Sequence, residues 1–431
     1  MPASEQLPSK RPKSKFLILR LLGPGLVTGA ADDDPSGIAT YSQAGAQFGF
    51  GLLWTVFLTT PFMIAIQLVS AKIGRVTGRG VAANLAEIAP RPVVLGLVAL
   101  LVIANTFNIA ADIAVMGEAL VLVIGGLKHE HALIFAAASV LLQVFIPYRL
   151  YAPVLKFTTL VLFLYVATAF TVTIPWGEAL FALVWPRAGI NADYLMMVVA
   201  VLGTTISPYL FFWQAAQEVE EMNMGAATPP LRDVSDDDGR AEVRRMTIDT
   251  VAGMVISNGI AFFIILTTAA VLHTNGVTEI KSAADAATAL KPLAGELAFL
   301  MFALGIIGTG MLAIPVLAGS AAYGVANVMG WRATLEAKAP DAVGFYSIIA
   351  AATVIGLILS FTPLDPIKML IWSAVLNGVV AVPIMAGMML IACNKTIMHR
   401  FAANSGLAFF GWVGTGLMAL AVVAMGVSAL M

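Results

Sequence analysis

The sequence Asp32-Asp33-Asp34-Pro35-Ser36-Gly37 interrupts a long apolar stretch that runs from about residue 16 to residue 48. Each ionisable side chain at membrane depth costs about 2.5–3.5 kcal/mol even on the mildest insertion scale. A proline inside a helix also removes a backbone hydrogen bond and introduces a steric clash. So costly a break needs a compensating partner, and a bound cation is the simplest one.

The composition is that of a polytopic membrane protein. Of the 431 residues, 59% are hydrophobic and only 11% are charged, whereas a soluble domain is about 25% charged. The net charge of −1 says nothing about a nucleic-acid partner, and no basic cluster suggests one. A single cysteine, Cys393, excludes disulfides and cysteine-ligated metal sites. Residues 1–15 lack the apolar core of a signal peptide and are predicted to form a disordered cytoplasmic tail.

Eleven apolar runs are long enough to cross a bilayer, which takes about 20 residues. They lie at residues 16–48, 50–73, 93–124, 131–147, 151–175, 192–217, 247–273, 294–328, 342–361, 367–393 and 405–431. If the N-terminus is cytoplasmic, nineteen of the 24 Lys and Arg residues fall on the cytoplasmic side, as the positive-inside rule expects. The sequence therefore predicts an integral plasma (inner) membrane protein with eleven transmembrane helices, a cytoplasmic N-terminus and an extracytoplasmic C-terminus.

Two breaks lie at corresponding positions in two five-helix halves of the single transmembrane domain, residues 16–431. The second break, Ser207-Pro208, interrupts the sixth span at the position that corresponds to the first break. Paired interrupted helices mark the substrate site of transporters that are built from inverted repeats. We therefore expect an inverted 5+5 repeat, residues 16–175 and 192–393, with broken helices 1 and 6 and an extra helix at residues 405–431.

The two breaks together predict a metal site. Unwound backbone frees carbonyl oxygens, which are tolerated at membrane depth only where they line a cavity. Carbonyl oxygens and a carboxylate form a hard site for a divalent cation. Asp34 is expected to be the main charged ligand, while its two acidic neighbours add negative field. The predicted metal-site residues are Asp32, Asp33, Asp34, Gly37, Thr204 and Ser207. The alternative is a kinked helix whose acids face a water-filled vestibule.

Four further polar residues are candidates for the ion pathway: Asp112, Asn105, Tyr209 and Asn377. Asp112 is an intramembrane acid without an obvious basic partner, and vestibule lining or a protonated packed carboxyl would explain it equally well. The polar segment Glu218–Arg245 is expected to be a solvated cytoplasmic linker. The acids that open it, Glu218, Glu220 and Glu221, are expected to lie at a solvated helix end.

Several motifs resemble those of the NRAMP divalent-metal transporters. They are Gly23-Pro24-Gly25, Asp34-Pro35, Gln43-Ala44-Gly45-Ala46, Gly74-Arg75-Val76-Thr77-Gly78, Ala111-Asp112-Ile113-Ala114 and Gly203-Thr204-Thr205-Ile206-Ser207-Pro208-Tyr209. The resemblance covers the whole chain. It implies an all-α, LeuT-like fold and the import of a divalent metal into the cytoplasm.

Departures from the family motifs bear on the choice of ion. Gly37 stands where the family has a metal-binding Asn, and Ser207 stands where it has Met. A thioether favours transition metals, whereas a roomier, all-oxygen site suits Mg²⁺, which keeps much of its water. Asn105 and Tyr209 stand where the family has an acid and a His, so proton-relay groups are missing. The pattern resembles the NRAMP-related magnesium transporters and implies transport of Mg²⁺, with Mn²⁺ as an accompanying ion, without proton coupling.

Three other functions stay open from the sequence alone. They are a proton-coupled Mn²⁺/Fe²⁺ importer of the ordinary NRAMP kind, a carrier of an organic solute such as an amino acid, and a non-transporting membrane sensor on the same scaffold. Three clustered aspartates would repel an anionic solute. The sequence shows no phosphate loop, no nucleophile with a base and no His cluster, so an enzyme is not expected. The expected partners are the transported ion and the lipid bilayer, with no cofactor and no obligate protein partner.

Overall fold

The computed structural model describes residues 23–148, 150, 157, 159–185, 191–223 and 229–430, and helices dominate this part of the chain. The predicted tail, residues 1–15, and the start of the first span lie outside these residues, as do positions 151–156 and 158 of the predicted fifth span. The described α-helices are α1 (Pro24–Asp32), α2 (Pro35–Phe48), α3 (Leu53–Thr77), α4 (Val81–Ile88), α5 (Arg91–Ile124), α6 (Lys128–Phe145), α7 (Phe163–Ala169), α8 (Trp176–Ala182), α9 (Ala192–Thr205), α10 (Pro208–Asn223), α11 (Asp236–Val271), α12 (Ala283–Ala287), α13 (Lys291–Ala294), α14 (Ala298–Met329), α15 (Val343–Ser360), α16 (Pro366–Cys393), α17 (Lys395–Met398) and α18 (Ser405–Leu430).

Eight helical segments of the described residues are long and apolar enough to cross a membrane. They are Pro35–Thr77, Arg91–Ile124, Ala192–Asn223, Asp236–Asn275, Ala283–Met329, Val343–Ser360, Pro366–Cys393 and Ser405–Leu430. A shorter apolar segment, Thr159–Ala169, lies where the fifth span is predicted. The predicted all-α membrane architecture is confirmed, while the count of eleven spans and the division into five-helix halves stay predictions.

The first helix is interrupted at the acidic motif. α1 ends at Asp32 and α2 begins at Pro35, which leaves Asp33 and Asp34 between them. Asp34 has extended backbone angles (φ −70°, ψ 171°), and its carboxylate accepts the backbone N–H of Gly37, as the side chain of an N-cap residue does. Pro35 occupies the first helical position, where a missing N–H leaves no bond unmade. The break is therefore the end of one helix and the capped start of another.

The second predicted break is also present. α9 ends at Thr205 and α10 begins at Pro208. Ile206 leaves helical geometry (φ −119°, ψ 66°), and the proline has no N–H with which to continue the backbone ladder. Both chain interruptions thus follow from a proline that begins a new helix.

Glycines bring the backbone of each broken helix into direct contact with a neighbouring helix. A β-carbon at Gly253 of α11 would lie 2.2 Å from the carbonyl oxygen of Gly25 in α1. A β-carbon at Gly203 of α9 would lie 2.1 Å from the carbonyl oxygen of Ala374 in α16. Small residues allow such close approach in transmembrane bundles. These crossings fix α1 against α11 and α9 against α16.

The beginning of α1 is also fastened to α11 by the carboxylate of Asp249. This carboxylate accepts the N–H groups of Gly23 at 3.1 Å, Gly25 at 2.7 Å and Leu26 at 3.3 Å. The first N–H groups of a helix have no partner within the helix, and a negative charge is favoured at that end. Asp249 therefore closes the end of the bundle at which the chain enters α1.

Most described residues of Glu218–Arg245, which was expected to be a solvated linker, are helical, although few of them are buried. α10 continues to Asn223, and α11 already begins at Asp236. Ser235 caps α11, and three acids follow in its first turn, where negative charge stabilises a helix. The favourable cap and the first-turn charges explain why this polar sequence is helical.

The expectation of a solvated acidic helix end is wrong for two of the three glutamates. Glu218 and Glu220 are buried. Glu220 accepts hydrogen bonds from the hydroxyls of Tyr323 and Thr334, both at 2.7 Å. Glu221 pairs with Arg245 of α11 at 2.8 Å. The acids therefore fasten α10 to neighbouring segments.

The crossing of α1 and α11 yields a stability prediction. Replacing Gly253 by Ala should lower the melting temperature of the detergent-solubilised protein by several degrees, because the added methyl group would meet backbone atoms that cannot move aside. The matched control is Gly259→Ala in the same helix, where a β-carbon would meet nothing within 4 Å. That control should melt at the parent temperature or slightly above it. Equal melting temperatures for the two variants would contradict the tight crossing.

Candidate metal site

Asp34 lies at the centre of a hydrogen-bond network between the two breaks. Its Oδ1 accepts the hydroxyl of Ser36 at 2.7 Å and the N–H of Gly37 at 2.8 Å. Its Oδ2 accepts the side-chain amide of Asn108 in α5 at 3.0 Å and lies 3.3 Å from the hydroxyl of Tyr209 in α10. The side chain is only 1% exposed. Hydrogen bonds from neutral donors stabilise a buried carboxylate, so these donors favour the ionised form of Asp34.

Two of these donors connect the site to other helices. The hydroxyl of Tyr209 also lies 3.2 Å from the carbonyl oxygen of Ala31, so it bridges α10 and α1. The Oδ1 of Asn108 accepts the hydroxyl of Ser373 in α16 at 2.8 Å. The sequence analysis placed Tyr209 on the ion pathway but missed Asn108 and Ser373. The available signal was the four-residue spacing from Asn108 to Asp112, which places both on one face of α5.

Asp32 and Asp33 share one partner on α11. The hydroxyl of Ser257 donates to Asp32 Oδ2 and also lies 3.2 Å from Asp33 Oδ1. All three side chains are buried. The three aspartates therefore have different partners: Asp34 contacts α5 and α10, whereas the other two face α11. Ser257 is a third site residue that was not predicted from the sequence.

Gly37 brings the first break against the second. A β-carbon at this position would lie 3.3 Å from both the carbonyl oxygen of Asp32 and the hydroxyl oxygen of Thr204. The Oγ of Ser207 lies 2.7 Å from the carbonyl oxygen of Gly203 and 2.9 Å from that of Thr204. A hydroxyl that donates to one carbonyl retains its acceptor lone pairs. The hydroxyl of Thr204 therefore lies beside the first break, while the Ser207 hydroxyl contacts carbonyls of its own segment and keeps acceptor capacity.

The remaining pathway candidates are more dispersed. Asp112 lies one helical turn beyond Asn108, and both of its carboxyl oxygens are buried without a hydrogen-bond partner among the described residues. Asn105 binds α14 through the carbonyl oxygen of Leu317 at 2.8 Å and Ser320 at 2.7 Å, so its amide does not contact Asp34. Asn377 is buried in α16, and its carboxamide makes no hydrogen bond to any described residue. Asn105 and Asp112, three residues before and four residues after Asn108, lie on the helix face that carries a donor to Asp34.

The polar groups in hydrogen-bond contact with the carboxylate of Asp34 are all neutral. In the part of the chain that the structure describes, no group of three or more His, Cys, Asp or Glu side chains could hold a metal ion. Asp34 would therefore act with hydroxyl, carbonyl and carboxamide oxygens. Such a set suits a hard cation that keeps several water ligands.

A hydrogen bond across the two broken helices lies farther along α2. The hydroxyl of Tyr41 is 3.0 Å from that of Thr205 at the end of α9. Beyond Tyr41, Gln43 and Gln47 line a pocket of about 510 Å³, together with Asp193, Met196, Met197, Thr278, Glu279, Ile280, Lys368, Ile371 and Trp372. At 1.5 Å per residue, Gln43 is about 13 Å along the helix from Asp34. The Tyr41–Thr205 contact therefore lies between this pocket and the buried carboxylate along α2.

Comparisons with known proteins identify one family, and its match covers nearly the whole chain. The family described as "Nramp: Natural resistance-associated macrophage protein-like" matches residues 25–428. A protein named "Divalent metal cation transporter MntH" from Pectobacterium carotovorum subsp. carotovorum (strain PC1) is 30% identical over 319 residues, which cover 72% of this chain and 73% of that protein. A protein of the same name from Yersinia pestis (strain Pestoides F) is 29% identical over 316 residues, or 70% of this chain and 71% of the relative.

Solved structures show the same fold at low sequence identity. A manganese transporter from Eremococcus coleocola, in complex with an aromatic bis-isothiourea substituted compound, matches with a TM-score of 0.77 at 16% identity, covering 97% of this chain and 89% of that chain. Mhp1, a nucleobase-cation-symport-1 family transporter in a closed conformation, matches with a TM-score of 0.55 at 14% identity, covering 95% of this chain and 93% of that chain.

These matches confirm the resemblance drawn from the motifs and the LeuT-like fold that it implied. The family match includes both broken helices and every residue that contacts Asp34. The chain therefore belongs to the Nramp family.

Proposed function

We propose that this protein moves divalent metal cations across a membrane, with Asp34 as the charged group of the transport site. The observation that carries the proposal is the buried carboxylate of Asp34 at the first helix break, which accepts hydrogen bonds from donors in α2, α5 and α10. Relatives named as divalent metal cation transporters support the same substrate class. The transported ion is a substrate, and no enzymatic step is proposed.

On the proposed route, the ion passes Asp34, and a contact closes the path on each side of this residue. At one end, the Tyr41–Thr205 contact lies between the pocket near Gln43 and Asp34. At the other end, Asp249 holds the start of α1. Alternating access would release one closure while the other is made. The distribution of Lys and Arg supports a cytoplasmic N-terminus, so import would proceed from the pocket toward the end of the bundle closed by Asp249.

The preferred ion under this proposal is Mg²⁺, with Mn²⁺ as an accompanying substrate. Each oxygen of Asp34 already has two polar neighbours, so an ion that sheds its water would have to displace them. The positions that would supply a carboxamide and a thioether in the family motif are Gly37 and Ser207. A site without a soft ligand does not favour transition metals, and Mg²⁺ gives up its water reluctantly.

The second candidate function is proton-coupled import of Mn²⁺ or Fe²⁺. Specific observations favour it: a relative with a solved structure is a manganese transporter, and Asp112 is a buried carboxyl without a partner in the structure. A buried carboxyl of this kind is a candidate proton carrier. Against it stands the loss of two further relay groups at Asn105 and Tyr209, so we propose transport without proton coupling.

Replacing Asp34 by Asn tests the site directly. The substitution removes one unit of charge and little volume, and one charge about 4 Å from another contributes about 4 kcal/mol at an effective dielectric constant of 20. We expect the initial rate of Mg²⁺ and Mn²⁺ entry into proteoliposomes to fall at least about 100-fold. Asp341→Asn, at the exposed end of a short 3-10 helix, should transport at the parent rate. Parent-like flux in Asp34→Asn would remove this residue from the transport site.

Ion choice and coupling can be measured together in sealed vesicles that contain a pH dye and a metal-sensitive dye. We expect entry of Mg²⁺ and Mn²⁺ without acidification of the lumen, because the site offers hard oxygen ligands and lacks the relay groups. Acidification that accompanies Mn²⁺ entry, with no Mg²⁺ entry, would select the proton-coupled alternative. No flux of any divalent ion would favour a non-transporting sensor.

A further inference from the structure

The carboxamide of Asn108 links the carboxylate of Asp34 to α16. Among the described residues, no other hydrogen bond joins α16 to this network. Its Nδ2 donates to Asp34 Oδ2 at 3.0 Å, and its Oδ1 accepts the hydroxyl of Ser373 in α16 at 2.8 Å. Both side chains are fully buried. Asn108 thus joins α5, the first helix break and α16 through one planar group.

Asp34 determines which end of this carboxamide faces the site. A carboxylate only accepts hydrogen bonds, so without a cation the amide NH₂ must face Asp34. The amide oxygen then faces Ser373, whose hydroxyl must donate to it. The assigned orientation therefore follows from the chemistry of the two neighbours.

The Ser373 end of the contact can satisfy the opposite orientation equally well. The Oγ of Ser373 also lies 2.7 Å from the carbonyl oxygen of Leu370. If the carboxamide turned over, its NH₂ would donate to Ser373 Oγ, and the Ser373 hydroxyl would donate to Leu370. A hydroxyl has one donor and two acceptor positions, so no group at this end would lose its partner.

A divalent cation requires that opposite orientation. Both the cation and the water molecules bound to it must face acceptors, because bound water directs its hydrogens outward. We propose that Asn108 is a reversible ligand that turns its carboxamide oxygen toward the hydrated divalent cation when the ion reaches Asp34. The same rotation frees one acceptor position on Asp34 Oδ2, while Ser373 keeps the turned amide in place.

Asn108 would then bind the substrate, and Ser373 would be a positioning residue that acts through it. This assignment rests on the proposed transport function and identifies a ligand within the same site. It names a small, hard divalent cation as the species that the turned carboxamide recognises. The Ser373 hydroxyl would donate to Asn108 without the ion and to Leu370 with it. The arrival of the ion would therefore change a hydrogen bond of α16.

A double-mutant cycle on the full-length, detergent-solubilised protein tests the proposal, with Mn²⁺ and Mg²⁺ binding measured by calorimetry. Asn108→Leu should weaken binding at least about tenfold, because it removes the carboxamide at similar size. Ser373→Ala should weaken binding about threefold, since one hydrogen bond is lost. The double variant should bind like Asn108→Leu alone, because Ser373 acts only through Asn108.

Two matched controls account for nonspecific effects of the substitutions. Thr106→Val in α5 removes a hydroxyl that binds only Val102 of its own helix, and Ser360→Ala in α15 removes one that binds only Leu357. Both should bind the ions as the parent does. Infrared difference spectra of the parent should show a carboxamide C=O band that shifts when Mg²⁺ is added, and this band should shift differently in Ser373→Ala. The spectra of the parent and Ser373→Ala keep the test decisive if Asn108→Leu does not fold.

Several outcomes would overturn the inference. They are parent-like affinity in Asn108→Leu, a further loss of affinity when Ser373→Ala is added to it, and the absence of an ion-dependent carboxamide band. If the parent transports Mg²⁺ or Mn²⁺ while any of these results is found, the inference fails and the transport function stands. A parent that neither binds nor transports any divalent ion would overturn both.

Discussion

The hydrogen bonds that converge on the carboxylate of Asp34 hold the centre of the molecule together. Donors come from Gly37 at the start of α2, Asn108 in α5 and Tyr209 in α10. A hydrogen bond to a charged group contributes about 1.5–3 kcal/mol, and a buried charge that loses its donors is strongly destabilising. The breaks therefore stay adjacent because one negative charge requires donors from both. A cation competes with those same donors, so its arrival weakens the contacts that keep the breaks together.

The helices around this polar centre are held together by close backbone contacts. Gly25 and Gly253 press the backbone of α1 against α11, and Gly203 does the same for α9 against α16. Such contacts have no side chain that could change its rotamer. The hydrogen bonds of Asn108, Tyr209 and Ser373, in contrast, are made by side chains, which can rotate toward other partners. The site thus combines rigid backbone crossings with a polar centre whose partners can change, as a site that alternates between two states requires.

The amino-acid sequence was sufficient for the fold class and for both breaks, because proline and a capping acid act on their own neighbours. The same local chemistry placed Asp34 at the centre of the site. Asn108 and Ser257 were missed because their partners are 74 and 225 residues away along the chain, and no spacing rule connects them. The sequence also predicted a solvated linker where α11 begins. That prediction rested on the many charged residues and did not include the Ser235 cap or the ion pairs of Arg245. Polar residues were thus predicted well where their partners are local and poorly where the partners come from another helix.

Transport and selectivity both depend on how many water molecules the ion keeps beside Asp34. Mn²⁺ bound to the purified protein can be studied by electron–nuclear double resonance in ¹⁷O-labelled water, which counts the water molecules in its first coordination shell. With both carboxylate oxygens already engaged, several coordinated waters should be retained, and Asp34→Asn should abolish binding of the ion. A Mn²⁺ ion with one water or none, held directly by protein ligands, would contradict a site built for a hydrated cation.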